Sequence, residues 1–170
     1  MNTQMNSSMS PAPAASSGAL LQTIVQKLNA IPYSVIALIA RAATFSVFFR
    51  SGTQKLSDWN STLMLFQNEY HVPVLPPNVA AYLAASLELG GSTLVLIGLC
   101  TRASVTALLG MTAVIEIFVY PMAWPDHIQW LAFMFIIFAR GPGKISLDEP
   151  LFGKRFPWRV SPTREVGARQ

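Results

Sequence analysis

The sequence holds one cysteine, two histidines and few charges. A single cysteine, Cys100, excludes an internal disulfide framework, a CxxC redox pair and a cysteine-rich zinc site. Charged residues make up 12% of the 170 positions, against about a quarter in an ordinary soluble domain. Twelve Lys and Arg against eight Asp and Glu leave a net charge of +4. Such a balance could suit nucleic acid, but a chain this poor in charge lacks the basic surface that binding requires. No Ser-His-Asp set and no paired-carboxylate hydrolase pattern can be placed in a soluble pocket. Gly141-Pro142-Gly143-Lys144 is no phosphate loop, because the upstream Gly, the following Ser or Thr and the preceding strand are missing. It reads as a helix stop.

What is present is apolar. Residues of that class make up 52% of the chain, and the mean hydropathy is +0.41. These values point to a membrane protein. Residues 1–18 are Ser, Asn, Ala and Pro-rich without charge, a composition expected to stay disordered and unlike a secretory signal. Over 19–31, Leu20, Leu21, Ile24, Val25, Leu28 and Ile31 recur at helical spacing. The spacing predicts an amphipathic helix lying on a membrane surface.

Four apolar segments follow, over about 32–49, 78–99, 103–119 and 126–139. A span takes about 20 residues at about 1.5 Å each. The fourth reaches that length only with His127, Gln129, Trp130 and Arg140 at the interfaces. The expected architecture is an all-α, four-span membrane bundle over 32–150, with a basic cytoplasmic tail over 151–170. The 51–77 loop carries Trp59, Leu63, Phe66 and Tyr70 at helical spacing, which predicts a short helix capping the outer face. His71 and His127 fall in the expected outer loops, where surface positions are the simpler reading.

Charge distribution sets the expected topology. Residues 1–139 hold five basic and five acidic residues, and 140–170 hold seven basic against three acidic. The whole net charge lies beyond the last span. Both termini are therefore expected in the cytoplasm. The tail segment Lys154-Arg155-Phe156-Pro157-Trp158-Arg159 suits anionic lipid headgroups, at about 1 kcal/mol per basic residue.

Three ionisable residues fall inside the spans: Arg41, Glu88 and Glu116. Each costs roughly 2.5–3.5 kcal/mol at a helix centre, so they are expected to be paired. Counting about 1.5 Å per residue places Arg41 and Glu88 near mid-depth as a pair, with Glu116, Arg50 and Lys55 above them. Such a column can lock helices together, or it can line a pathway for protons, ions or a cofactor. Small residues at Ala80, Ala81, Ala84, Ala85, Gly90 and Gly91, and at Ala107, Gly110 and Ala113, permit close helix approach.

Several motifs stand in a fixed order. They are Arg41, then Gly52-Thr53-Gln54-Lys55, then Glu88-Leu89-Gly90-Gly91. Leu96-Ile97-Gly98-Leu99-Cys100-Thr101-Arg102 and Gly141-Pro142-Gly143-Lys144-Ile145-Ser146-Leu147-Asp148 complete the series. Over roughly 34–150 this pattern resembles the DoxX-like membrane proteins, which include the DoxD type. The resemblance implies a bacterial inner-membrane protein of four spans, linked to sulfur or oxidative-stress metabolism and to a quinone. On that basis the expected catalytic residues are Arg41, Glu88 and Glu116. Arg41, Lys55, Glu88 and Arg102 are the expected quinone-binding residues: Arg41 would donate to a quinone oxygen, and a glutamate would carry protons. Expected partners are the lipid bilayer, soluble redox enzymes and further copies of the chain, without nucleic acid. A non-catalytic scaffold for soluble redox enzymes, or a carrier of small solutes or protons, would use the same features differently. Flux through proteoliposomes separates the carrier, and partner co-purification separates the scaffold.

Overall fold

A computed structural model describes residues 16–70 and 72–152. The described elements are all helical. The chain divides into two compact units, 1–32 and 33–170. The first contains α1 (Ser16–Asn29). Leu20, Leu21, Ile24, Val25 and Leu28 are all exposed on it, and Lys27 lies in its last turn. The disorder expected over 1–18 falls mainly outside the described residues, although the helix already begins at Ser16. The basic tail, from residue 153 on, also lies outside them.

The second unit is built on helices α2 (Tyr33–Ser57), α4 (Pro77–Ile97) and α5 (Thr101–Val119). Each is long and apolar enough to cross a membrane. Between α2 and α4 stands the shorter α3 (Trp59–Asn68). After α5 come α6 (Trp124–Arg140) and a terminal turn, α7 (Asp148–Phe152). Helix α2 packs on α4 and α6, and α5 packs on α4 and α6, so the four elements close a ring.

The core of that ring is small: Phe48, Val95, Val105, Leu108, Met134 and Ile137 are buried. Many large apolar side chains instead face outward, including Ile39, Leu83, Ile117 and Phe135. A soluble protein rarely leaves so much contiguous apolar surface bare. Lipid supplies the missing contact, and the helical backbone meets its own hydrogen-bonding needs within each span.

Two departures from the sequence expectation position the site. First, α2 runs on to Ser57 instead of ending near residue 49. Polar residues 51–57 read as a loop, but Thr53 and Ser57 hydroxyls donate back to the Arg50 and Gln54 carbonyls at 2.8 and 2.7 Å, and no proline interrupts the helix. Gly52 and Lys55 are therefore helical. Second, α4 and α5 each contain a π turn, Leu87–Gly91 and Ile115–Val119. Their second residues are Glu88 and Glu116. Single π turns inside α-helices are frequent at functional sites. Helix α3 is begun by the Asp58 carboxylate, which accepts from the Ser61 backbone N–H at 3.0 Å. The Ser61 hydroxyl also donates to this carboxylate, at 2.6 Å, and the two bonds hold the Asp58 carboxyl below its ordinary range. Phe66 packs α3 onto Ala80 and Ala81 of α4.

Candidate functional site

The charged residues sort into two groups on opposite halves of α2. Arg41 and Lys55 lie 14 positions apart on this helix, about 21 Å along its axis.

The first group is a clasp. Arg41 is 2% exposed, and its guanidinium is committed to main-chain carbonyls. Nε donates to Val95 O at 2.8 Å and one terminal nitrogen donates to Pro142 O at 3.2 Å. The same nitrogen also donates to Ile145 O, and the other donates to Leu96 O. Carbonyls at a helix C-terminus lack intrahelical partners, and only a planar five-donor fork can satisfy several at once.

Around Arg41 the chain is tied repeatedly. Tyr33 Oη donates to Gly141 O at 2.7 Å, and the Lys144 N–H donates to Ser34 Oγ at 3.1 Å. The Asp148 carboxylate accepts from the Cys100 and Thr101 N–H groups at 2.7 and 2.9 Å, capping the start of α5. Gly98 sits at φ +76°; a Cβ there would lie 2.5 Å from Ser146 Cβ and 2.9 Å from an Arg41 nitrogen. Cys100 is exposed within this link.

The second group surrounds a cavity of about 950 Å³ between α2, α4, α5 and α6, under α3 and the segment that follows it. Phe48, Phe66, Leu87, Met111, Ile115 and Trp130 make its apolar walls. Glu88 lines it and is 3% exposed. Its Oε1 accepts from Lys55 Nζ at 2.8 Å and from Ser51 Oγ at 3.1 Å, and Lys55 Nζ also donates to Ser51 Oγ at 3.0 Å. Its Oε2 is buried with no hydrogen-bond partner among the described residues. Close approach makes this possible: a Cβ on Gly52 would fall 2.7 Å from Leu89 Cγ and 3.1 Å from Glu88 Cβ.

A second acid–base pair stands at the same end. His127 lines the cavity and is 3% exposed. Its Nδ1 contacts Glu116 Oε2, and its ring lies 4.8 Å from that of Trp130. Tyr70 and Tyr120 also line the cavity. Their hydroxyls are 3.3 Å apart, Tyr120 donating to Tyr70. Burial, reinforced by that contact, pushes the Tyr70 phenol above its ordinary value.

The sequence-predicted Arg41–Glu88 pair therefore does not form. Arg41 reaches towards the carbonyls of one end, Glu88 pairs with Lys55, and Arg41 is not among the residues lining the cavity. Arg102 likewise belongs to the clasp end, its Nη2 standing 3.6 Å from where a Gly141 Cβ would be. Of the expected residues, the structure gathers Lys55, Glu88 and Glu116 at the cavity end and leaves Arg41 and Arg102 at the clasp end.

His127, expected in a surface loop, is a buried residue of the first turn of α6. A signal for it was present: His127, Trp130, Met134 and Ile137 continue one helical stripe. His71 lies outside the described residues.

The DoxX family model matches residues 36–121, just over half of the chain. That interval contains Arg41, Gly52, Lys55, Glu88, Gly98 and Arg102, and it ends before the Gly141 to Asp148 motif. No curated protein and no solved structure matches the chain. With three apolar helices of spanning length and this match, the chain is a membrane protein belonging to the DoxX family.

Proposed function

We propose that the protein is a membrane subunit of a redox system and that its cavity takes a quinone-type ligand. The supporting observation is the Glu88 carboxylate: one oxygen is held by Lys55 and Ser51, and the other is buried without a partner in an apolar cavity. Ligand sites are typically apolar hollows of about 300–1,000 Å³ with a few convergent polar groups, and this one fits. Lys55, Glu88 and His127 would hold the ligand's oxygens, and the aromatic walls would take its ring. A quinone supplies two-electron, two-proton chemistry when bound. The chain's own groups bind, orient and exchange protons, and electrons would come from a partner enzyme.

In this reading α6 is a fourth span. Its 17 residues are mostly apolar and pack on α2 and α5, completing a four-span bundle in a bacterial inner membrane. The basic tail argues for both termini in the cytoplasm, and α1 would lie in the headgroup region with its apolar face down.

The test is binding. Purified protein in nanodiscs, titrated with decylubiquinone and decylubiquinol, should show saturable quenching of tryptophan fluorescence. Ala84→Phe, which fills the cavity from α4, should abolish quenching by both. Quenching that never saturates, or that survives this substitution unchanged, would contradict the proposal.

A further inference from the structure

The cavity's lining includes the cations Arg50 and Lys55 and one carboxylate with an oxygen to spare. Glu88 Oε1 is engaged by an ammonium at 2.8 Å, so the side chain is a carboxylate, which can only accept hydrogen bonds. Its second oxygen is buried and unpartnered among the described residues. A buried acceptor in that state is costly, and more so when charged. The missing partner must therefore be a donor.

His127 is the second group to consider. In its neutral form, a histidine that gives its Nδ1–H to a carboxylate has an accepting Nε2. Glu116 plays that role here. Glu88 and His127 stand on different helices and line one cavity. Each depends on a glutamate at the second position of a π turn, where an extra residue re-aims the side chain. The Tyr120 hydroxyl already donates to that of Tyr70.

From this arrangement we infer that the cavity is selective for the reduced, dihydroxy form of its ligand. A hydroquinone carries two hydroxyl donors on an apolar ring, matching Glu88 Oε2 and His127. The oxidised dione offers only acceptors: Arg50 or Lys55 can meet one carbonyl, but at Glu88 Oε2 it would face a carboxylate without a proton between them. The inference rests on the quinone-type reading above and adds to it the form that is bound and the residues that choose it. Glu88 is a direct ligand contact in this account, Glu116 a positioning residue acting through His127.

The experiment is anaerobic equilibrium binding of decylubiquinol and decylubiquinone to the full-length protein in nanodiscs. The wild type should bind the quinol at least tenfold more tightly. Glu88→Gln keeps the side chain's shape and brings an amide that can donate; the preference should shrink to within about threefold, mainly through weaker quinol binding. Glu116→Gln should reduce the preference less, and should shift the imidazole resonances of His127 in the absence of ligand. If both forms bind equally to the wild type, or the quinone binds more tightly, the inference is overturned while the cavity reading survives. An unchanged preference in both Glu88→Gln and Glu116→Gln would also overturn it. Failure of either form to bind would instead overturn the cavity reading itself.

Discussion

Arg41 and Glu88 are both buried charges within apolar helices, and they differ in what is left over. Arg41 spends its guanidinium on four carbonyls from two segments of the chain. Nothing in that arrangement waits for a ligand. Glu88 spends one oxygen on Lys55 and Ser51 and keeps the other bare. A fully satisfied polar cluster specifies a structure, whereas a partly satisfied one in a cavity marks where something else binds. The sequence motifs divide along the same line. Arg41, Gly98, Arg102 and the 141–148 stretch build the clasp; Gly52, Lys55 and Glu88 build the cavity. The presence of a residue in a motif therefore does not by itself make it part of a binding site.

The largest effect should come from breaking the clasp. Arg41→Ala strands several buried carbonyls, each costing about 1–3 kcal/mol, so a loss of at least about 3 kcal/mol is expected. Thermal unfolding in detergent, or failure of the protein to accumulate in the membrane, reads it out. Arg41→Lys should not recover it, since an ammonium is a single point where a fork is needed. Recovery by lysine would show that the charge, not the carbonyl network, is what the site requires.

Next comes Gly98→Ala. A left-handed backbone costs a non-glycine residue roughly 1–2 kcal/mol, and the new Cβ would overlap Ser146. Lower stability is expected with unchanged ligand preference, measured as unfolding temperature beside quinol and quinone affinity. A change in preference would join the two regions that the structure separates.

At the cavity end the stability effect should be smaller. Glu88→Gln removes a charge but keeps an acceptor. Lys55, which is 19% exposed, can turn its ammonium outward along its long stem. A change within about 1 kcal/mol is expected, comparable to one net hydrogen bond.

The smallest effect concerns Tyr70. Its phenol is held above the ordinary range chiefly by burial. The neutral form is favoured in the fold, so this contribution is complete below the unfolded tyrosine pKa of about 10. It is lost as pH rises from there towards the folded value. Phenolate absorbance of the wild type minus Tyr70→Phe should therefore appear later in an alkaline titration than that of free tyrosine. A normal titration would mean that the cavity mouth is open to water at Tyr70.

Hydropathy made the three long helices legible, and aromatic spacing made α3 legible. The pairing of charges was not, for a physical reason. Helical rise locates a Cα, but Arg and Lys side chains extend several ångströms along the helix axis in either direction. Arg41 reaches back to the end of α4, and Lys55 reaches inward to Glu88. Depth counted at the backbone put the wrong partners level. The continuation of α2 through residues 51–57 was masked by polar composition, although Phe48, Gly52 and Lys55 keep its inward stripe. The π turns carry no sequence mark that hydropathy can detect. His127 was missed because it precedes the apolar run, while the helix begins three residues before it, at Trp124.

The separation of a structural clasp from a binding cavity is tested most directly by ligand-supported unfolding of Glu88→Gln. At a quinol concentration about 100 times the wild-type Kd, binding should stabilise the wild type by about 2.7 kcal/mol. A tenfold loss of affinity reduces that to about 1.4 kcal/mol. The account predicts that Glu88→Gln unfolds near the wild-type temperature without ligand and shows about half the quinol-induced shift. A full shift in this variant, or its collapse without ligand, would contradict the account.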